Sequence, residues 1–231
     1  MNPISLGHYA VTSIIISCYF IFFANKKKYL IFYFSVGFVG VVCLFLTASR
    51  GPLVSLIFII TLLLYASKTK LLYKLFAFMF SICSILAAYL VSITYFNSLV
   101  ARFDVNLGND GGEGEVRVFL WKLAVDKFLN SPILGSNTTT SYGYVHNMTL
   151  EILMSLGVFG IVSYLYFCIF SVRKFIFMVS IKDEKMIFGV LFIQYFVASF
   201  FSGTVYSNDL LWVFLGLSLL SASKKVKDER C

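Results

Sequence analysis

Long apolar segments separated by polar connections dominate this sequence and constrain its fold more than any other feature. Segments of this length match the roughly twenty residues that an α-helix needs to cross the hydrocarbon core of a bilayer. The composition agrees, since 59% of the residues are hydrophobic and only 13% are charged, whereas soluble domains carry about 25% charged residues. The sequence therefore excludes a water-soluble globule.

The apolar segments are also too long for the alternating strands of a transmembrane barrel, and helices pair every backbone N–H internally within the bilayer. The sequence predicts an all-α, polytopic transmembrane helical bundle with about seven spans, forming a single membrane domain over residues 1–231. The predicted spans are 9–24, 29–48, 52–66 and 71–96, followed by C-terminal spans within 147–222 at 147–170, 187–203 and 209–222.

The net charge of +8 is explained by membrane topology, so no nucleic-acid partner is expected. Most of the 19 basic residues fall on one side of the predicted membrane. The positive-inside rule places that side and the C-terminus in the cytoplasm, and the N-terminus outside. The residues on the basic side are Lys26, Lys27, Lys28, Lys68, Lys70, Lys74, Arg173, Lys174, Lys182, Lys185, Lys224, Lys225, Lys227 and Arg230.

Residues 97–146 form the one long connection, which we predict to be a large extracytoplasmic loop. The Gly-rich, acidic stretch 106–115 predicts a mobile turn. From Val116 to Leu129 the apolar residues recur at helical spacing. This pattern predicts an amphipathic helix on the outer membrane–water boundary, with Trp121 as an interfacial anchor.

Arg50 stands at the outer end of the second predicted span, before Gly51-Pro52. One interpretation is an arginine that snorkels from a helix end to the membrane surface. The other follows from Pro52, which favours the first turn of a helix and so places Arg50 at a helix N-terminus. There the dipole and the guanidinium together favour a phosphate or diphosphate.

Arg117 opens the amphipathic helix and also has two interpretations. It either pairs with Glu113 or Glu115 in a surface ion pair of little energetic value, or it binds an anionic ligand from the first turn of the helix.

His146 is followed by Asn147, a natural N-cap for the next span. The alternatives are a solvated loop histidine and a general base, because the start of a helix favours the neutral imidazole that a base requires. Glu151, one turn further on, is expected to favour the helix N-terminus or to pair with an arginine. His8 is assigned no role.

Motifs for other chemistries are missing from the sequence. The glycines of 108–114 lack the Gly-Lys-Ser/Thr of a nucleotide-binding loop, a calcium-binding loop fits poorly, and there is no zinc motif. No metal and no cofactor are expected.

Taken together, these motifs resemble the C-terminal core of the O-antigen ligase and O-antigen polymerase family, over about residues 40–170. The resemblance implies a metal-independent glycosyltransferase in the bacterial inner membrane that acts at its periplasmic face. It also implies a glycan donor on undecaprenyl diphosphate and an acceptor that is a second glycan or the lipid A core. Direct displacement of the diphosphate would invert the anomeric configuration. The matching motifs are Ser49-Arg50-Gly51, Arg117-x-x-x-Trp121, Asn130-Ser-Pro-Ile-Leu-Gly135, His146-Asn147 and Gly157-x-x-Gly160.

By this resemblance, Arg50 and Arg117 hold the donor diphosphate and His146 is the base for the acceptor hydroxyl. Trp121 and Asn147 are further candidates for binding substrate. The chemistry agrees with these roles, because the negative charge on a leaving diphosphate is stabilised by arginines and helix N-termini.

Other functions stay open. A lipid-linked glycan transporter would place polar or charged groups near the bilayer midplane, whereas the unusual residues of this sequence gather at the outer edge. An inert scaffold is a third hypothesis. The chain has fewer predicted spans than family members typically have, so a truncated, inactive member is also considered.

Overall fold

The computed structural model describes residues 3–22, 27–47, 49–66, 113–181 and 183–221. Within these ranges it contains seven α-helices and no named strand, which confirms the all-α prediction for this part of the chain. The helices are α1 (Pro3–Phe22), α2 (Leu30–Thr47), α3 (Arg50–Ala66), α4 (Glu113–Asn130), α5 (Met148–Ser180), α6 (Met186–Ala198) and α7 (Asp209–Leu220).

Three helices are long and apolar enough to cross a membrane, namely Pro3–Ile21, Leu30–Thr47 and Met148–Ser180. The segments Gly51–Ile60, Met186–Ala198 and Asp209–Leu220 are apolar but shorter. The predicted span at 71–96 lies outside the described residues, as do residues 97–112 of the predicted extracytoplasmic loop. The chain is thus a helical membrane protein, with three full-length and three shorter apolar helices in the described part.

The amphipathic helix predicted at 116–129 is present as α4, but it begins earlier, at Glu113. The last residues of the predicted Gly-rich turn, 113–115, are therefore helical. The end predicted at Ser131-Pro132 is confirmed, because α4 stops at Asn130.

The core lies where α1, α5, α6 and α7 pack together, and α2 packs along α1 while α3 packs against α6. Close approach of α1 and α3 depends on Gly7, since a Cβ at that position would lie 2.6 Å from Cγ of Pro52. The most deeply buried apolar side chains of this core are Val11, Met148, Phe175, Phe192 and Leu211.

Polar contacts distinguish the two ends of the bundle. At one end the Tyr19 hydroxyl donates to the Glu184 carbonyl at 2.8 Å, and the Lys174 ammonium donates to the Leu219 carbonyl. Residues Lys27–Tyr29, which follow α1, continue from the same end. The opposite end contains the start of α1 and the start of α3. For the described residues, the grouping of basic connections at one end agrees with the grouping predicted from charge, while the predicted basic residues at 68–74 and 224–230 lie outside them.

Helix α5 is interrupted at Gly157, whose backbone has φ +63° and ψ −156°. The turn that follows α4 inserts at this interruption. The Val158 N–H donates to the Pro132 carbonyl at 2.9 Å, and the Ser136 N–H donates to the Met154 carbonyl at 3.0 Å. The turn after α4 is therefore hydrogen-bonded to α5 on both sides of Gly157.

Three predicted boundaries were wrong. Helix α1 begins at Pro3 rather than residue 9, because residues 3–8, including the polar ones, continue the helix. Helix α5 extends to Ser180 rather than residue 170, because Phe175 and Met178 continue its buried face past the basic pair at 173–174. Helix α6 ends at Ala198 rather than residue 203, because the Ser199 carbonyl is taken by the Met148 N–H of α5 and the following residues form turns up to Gly203, where φ is +91°.

We predict that Gly157→Ala destabilises the protein, because its φ/ψ is nearly exclusive to glycine and costs other residues about 1–3 kcal/mol. The added Cβ would also lie 2.4 Å from the Ile133 carbonyl oxygen. Thermal unfolding in detergent measures the effect. The matched control is Gly216→Ala in α7, whose new Cβ meets nothing within 4 Å. Equal midpoints for both variants would contradict the described break.

Candidate functional site

The chain between α6 and α7, residues 199–208, is the point at which the predicted site segments meet; we call it the 199–208 loop. The Ser199 carbonyl accepts a hydrogen bond from the Met148 N–H at 3.0 Å, at the start of α5. Two residues later, the Phe201 carbonyl accepts one from Nη1 of Arg117 at 3.3 Å. Arg117 and the start of α5 are thus held by neighbouring carbonyls of one loop.

The start of α3 reaches the same loop. A Cβ built on Gly51 would lie 3.3 Å from Cβ of Phe201. Helix α3 begins at Arg50 with Pro52 in its first turn, which confirms the predicted helix start. The backbone of Arg50 therefore lies at a helix N-terminus beside the loop, and its side chain is outside the described atoms.

His146 lies directly before the cap of α5 in a left-handed backbone conformation, with φ +56°. Histidine is one of the few non-glycine residues enriched in that region. Its ring packs on Tyr144, with ring centroids 4.0 Å apart. Asn147 is the N-cap, as predicted, and its side chain accepts from the Leu150 N–H at 3.1 Å. The sharp turn therefore presents the imidazole beside the start of α5.

Trp121 fixes α4 next to this turn. Its indole N–H donates to the Val145 carbonyl at 3.1 Å, one residue before His146. Its ring packs on a small buried cluster that contains Ala124 and Met154. Trp121 is thus half-buried and supports the histidine turn from the side of α4, while its predicted contact with substrate stays a prediction.

The buried side chain of Glu151 binds the backbone of the 199–208 loop. That side chain is 2% exposed, and Oε2 accepts a hydrogen bond from the Val205 N–H at 3.3 Å. The Val205 carbonyl accepts from the indole of Trp212 at 2.7 Å. Val205 is thus held on both sides. Among the described atoms, the partner of Glu151 is a backbone amide, and the alternative of pairing with an arginine stays a prediction because the Arg50 side chain lies outside them.

The structure therefore brings Arg117, the start of α3 and the His146-Asn147 turn to one loop. Sequence reasoning missed the loop itself, because residues 199–203 were placed inside a span. Ser202-Gly203 after an apolar run is a break signal that could have identified it.

A family model described as O-antigen ligase matches residues 35–165, more than half of the chain. The chain belongs to the O-antigen ligase family. Its function is therefore of the O-antigen ligase or polymerase type, which in general joins a lipid-linked glycan to an acceptor. Searches of curated proteins and of solved structures found no match.

The region matched by the O-antigen ligase model contains every site residue that the sequence predicted. The 199–208 loop and His8 lie beyond its limits. For this member of the O-antigen ligase family, the structure thus adds contacts between the matched region and parts of the chain on both sides of it.

We predict that Glu151→Leu lowers both stability and glycan transfer, because it leaves the partly buried Val205 N–H without the carboxylate acceptor. Leaving one such donor unsatisfied costs about 1–3 kcal/mol. Glu151→Gln keeps an acceptor oxygen and should retain most of both. Thermal unfolding and transfer activity of the purified protein measure the effects.

The control for these variants is Ser155→Ala. Among the residues that the structure describes, the Ser155 hydroxyl donates to the Glu151 carbonyl of its own helix, at 2.6 Å. If Glu151→Leu behaved like this control, Glu151 would not support the loop.

Proposed function

We propose that the chain transfers or polymerises a glycan carried on undecaprenyl diphosphate, at the outer face of the bacterial inner membrane. The reaction is an inverting displacement that needs no metal ion. The observation that carries the proposal is the meeting of Arg117, the start of α3 and the His146-Asn147 turn at the 199–208 loop.

The diphosphate of the donor is assigned to Arg117 and Arg50. The described partner of Arg117 is the Phe201 carbonyl, which orients the guanidinium without neutralising its charge. The remaining N–H groups of the guanidinium suit the oxygens of a diphosphate. The N-terminus of α3, which begins at Arg50, adds a positive dipole end on the same loop.

The acceptor hydroxyl then attacks the anomeric carbon of the donor glycan. The bond between that carbon and the diphosphate oxygen breaks, and its electron pair leaves with the diphosphate, where the arginines stabilise the charge. His146 takes the proton of the attacking hydroxyl as a general base. Attack opposite the leaving group inverts the anomeric configuration.

Asn147 and Trp121 are assigned to the sugars. The side-chain oxygen of Asn147 caps α5, and its amide N–H groups are donors suited to a sugar hydroxyl. Trp121 is half-buried with its indole N–H engaged, and its ring face is a surface on which a sugar can stack.

The outer location rests on charge. The basic residues that the structure describes after α1 and between α5 and α6, such as Lys28 and Lys185, lie at the end of the bundle opposite the proposed site. The positive-inside rule places such connections in the cytoplasm. The donor diphosphate and the acceptor would then meet on the periplasmic side.

Deleting the gene and complementing it with single variants tests the function in cells. We expect the intact gene and Lys122→Ala, an exposed residue of the same helix as Arg117, to restore the surface polysaccharide. Arg117→Ala and His146→Ala should not. If the core polysaccharide of the deletion strain carries a single repeat unit, the protein is a polymerase whose acceptor is another glycan. If the core is bare and polymer stays on its lipid carrier, the protein is a ligase whose acceptor is the lipid A core. Full restoration by His146→Ala would contradict the assigned base.

The pH dependence of transfer tests the base separately. Because a protonated imidazole cannot accept a proton, we expect the rate of the intact protein to fall as the pH drops below neutrality. His146→Gln should lower the rate by about a hundredfold or more and remove this acidic limb. Arg117→Lys should lower the rate but keep the limb. If the rate of His146→Gln still fell at low pH as in the intact protein, a group other than His146 would be responsible for that fall.

A further inference from the structure

His8, on the second turn of α1, is a buried polar side chain whose ring is unsatisfied. It is 8% exposed, and neither of its ring nitrogens has a hydrogen-bond partner among the residues that the structure describes. Burying such a group without a partner is costly, and proteins rarely do so without a reason. A buried imidazole in this state is a candidate for contact with a ligand.

Three polar side chains close to His8, those of Thr12, Gln194 and Tyr195, are engaged with its backbone or with one another. The His8 carbonyl accepts from Nε2 of Gln194 and from the Thr12 hydroxyl, both at 2.9 Å. The Thr12 hydroxyl also lies 2.8 Å from the Tyr195 hydroxyl. This buried cluster fixes the backbone of His8 and leaves the ring to face elsewhere.

The ring faces the start of α3. Nε2 of His8 lies 4.0 Å from the position of a Cβ on Gly51, the residue that also contacts Phe201. The contact between Gly7 and Pro52 brings α1 close enough for this approach. His8 therefore lies beside a helix N-terminus, whose first N–H groups have no partner within the helix and favour an anion.

We propose that the His8 imidazole donates a hydrogen bond to the diphosphate of the lipid-linked donor, as a binding residue beside the two arginines. This inference rests on the proposed function, which places that diphosphate at the start of α3. An imidazole carries at least one N–H donor in either protonation state, so it can serve a phosphate oxygen when neutral or charged. His8 lies outside the region matched by the family model.

Binding of undecaprenyl diphosphate without its glycan tests the proposal independently of catalysis. The full chain is reconstituted in nanodiscs, and the dissociation constant is measured by calorimetry. The variants are His8→Phe, which keeps a ring without a donor, and His8→Gln, which keeps an N–H donor. The control is Ser13→Ala, also in α1, whose hydroxyl donates to the Tyr9 carbonyl of its own helix.

We expect His8→Phe to weaken binding of undecaprenyl diphosphate about tenfold or more, the usual effect of losing a hydrogen bond to a charged group. His8→Gln should recover part of the affinity, and Ser13→Ala should leave it unchanged. Inorganic pyrophosphate should compete with undecaprenyl diphosphate for the intact protein, and it should bind less well to His8→Phe. Thermal unfolding of each variant verifies that the bundle is intact.

Wild-type affinity in His8→Phe would overturn the role of His8 and leave the proposed function standing. If the intact chain did not bind undecaprenyl diphosphate, both proposals would fail. An equal loss of affinity for phosphatidylglycerol would identify a general site for anionic lipids and overturn the assignment to the donor.

Discussion

Unpaired backbone groups at helix ends are the constraint on which the arrangement of this site depends. The first N–H groups and the last carbonyls of a helix have no partner within it, and a membrane offers few others. Here the end of α6 and the start of α5 satisfy each other, because the Ser199 carbonyl accepts from the Met148 N–H. The 199–208 loop is therefore joined to the residues that follow His146.

The same requirement explains how α4 is held. The break at Gly157 leaves groups of α5 unpaired within the helix, and the turn after α4 supplies partners at Pro132 and Ser136. Near the middle of α4, the Trp121 indole satisfies the Val145 carbonyl. With two attachments, α4 is fixed against α5, and Arg117 at its start can reach the Phe201 carbonyl.

Much of the site was predictable because its local signals are strong. Asn147 before an apolar helix identified a cap, Pro52 identified a helix start, and apolar spacing identified α4. The contact of Arg117 with Phe201 could not be predicted, because its acceptor is a backbone carbonyl 84 residues away. Every residue type has such a carbonyl, so the sequence does not identify it. The break at Gly157 was hidden in a continuous apolar run.

His8 and Glu151 illustrate a different limit of sequence reasoning. His8 was set aside because of its place near the start of the chain, yet its burial beside Gly51 makes it a candidate binding residue. The partner of Glu151 is a backbone amide, which any residue other than proline provides. In both cases the informative property is three-dimensional proximity.

The most direct test of the central claim, that the start of α3 lies on the 199–208 loop, is a disulfide between Gly51→Cys and Phe201→Cys. A Cβ on Gly51 would lie 3.3 Å from Cβ of Phe201, close to the separation of about 3.5–4.5 Å in disulfides. The native cysteines are first replaced by serine, and the crosslink is read by mass spectrometry of peptides after mild oxidation. The account predicts rapid intramolecular crosslinking of this pair and none for Gly216→Cys with Phe201→Cys. Crosslinking of both pairs at similar rates, or of neither, would contradict it.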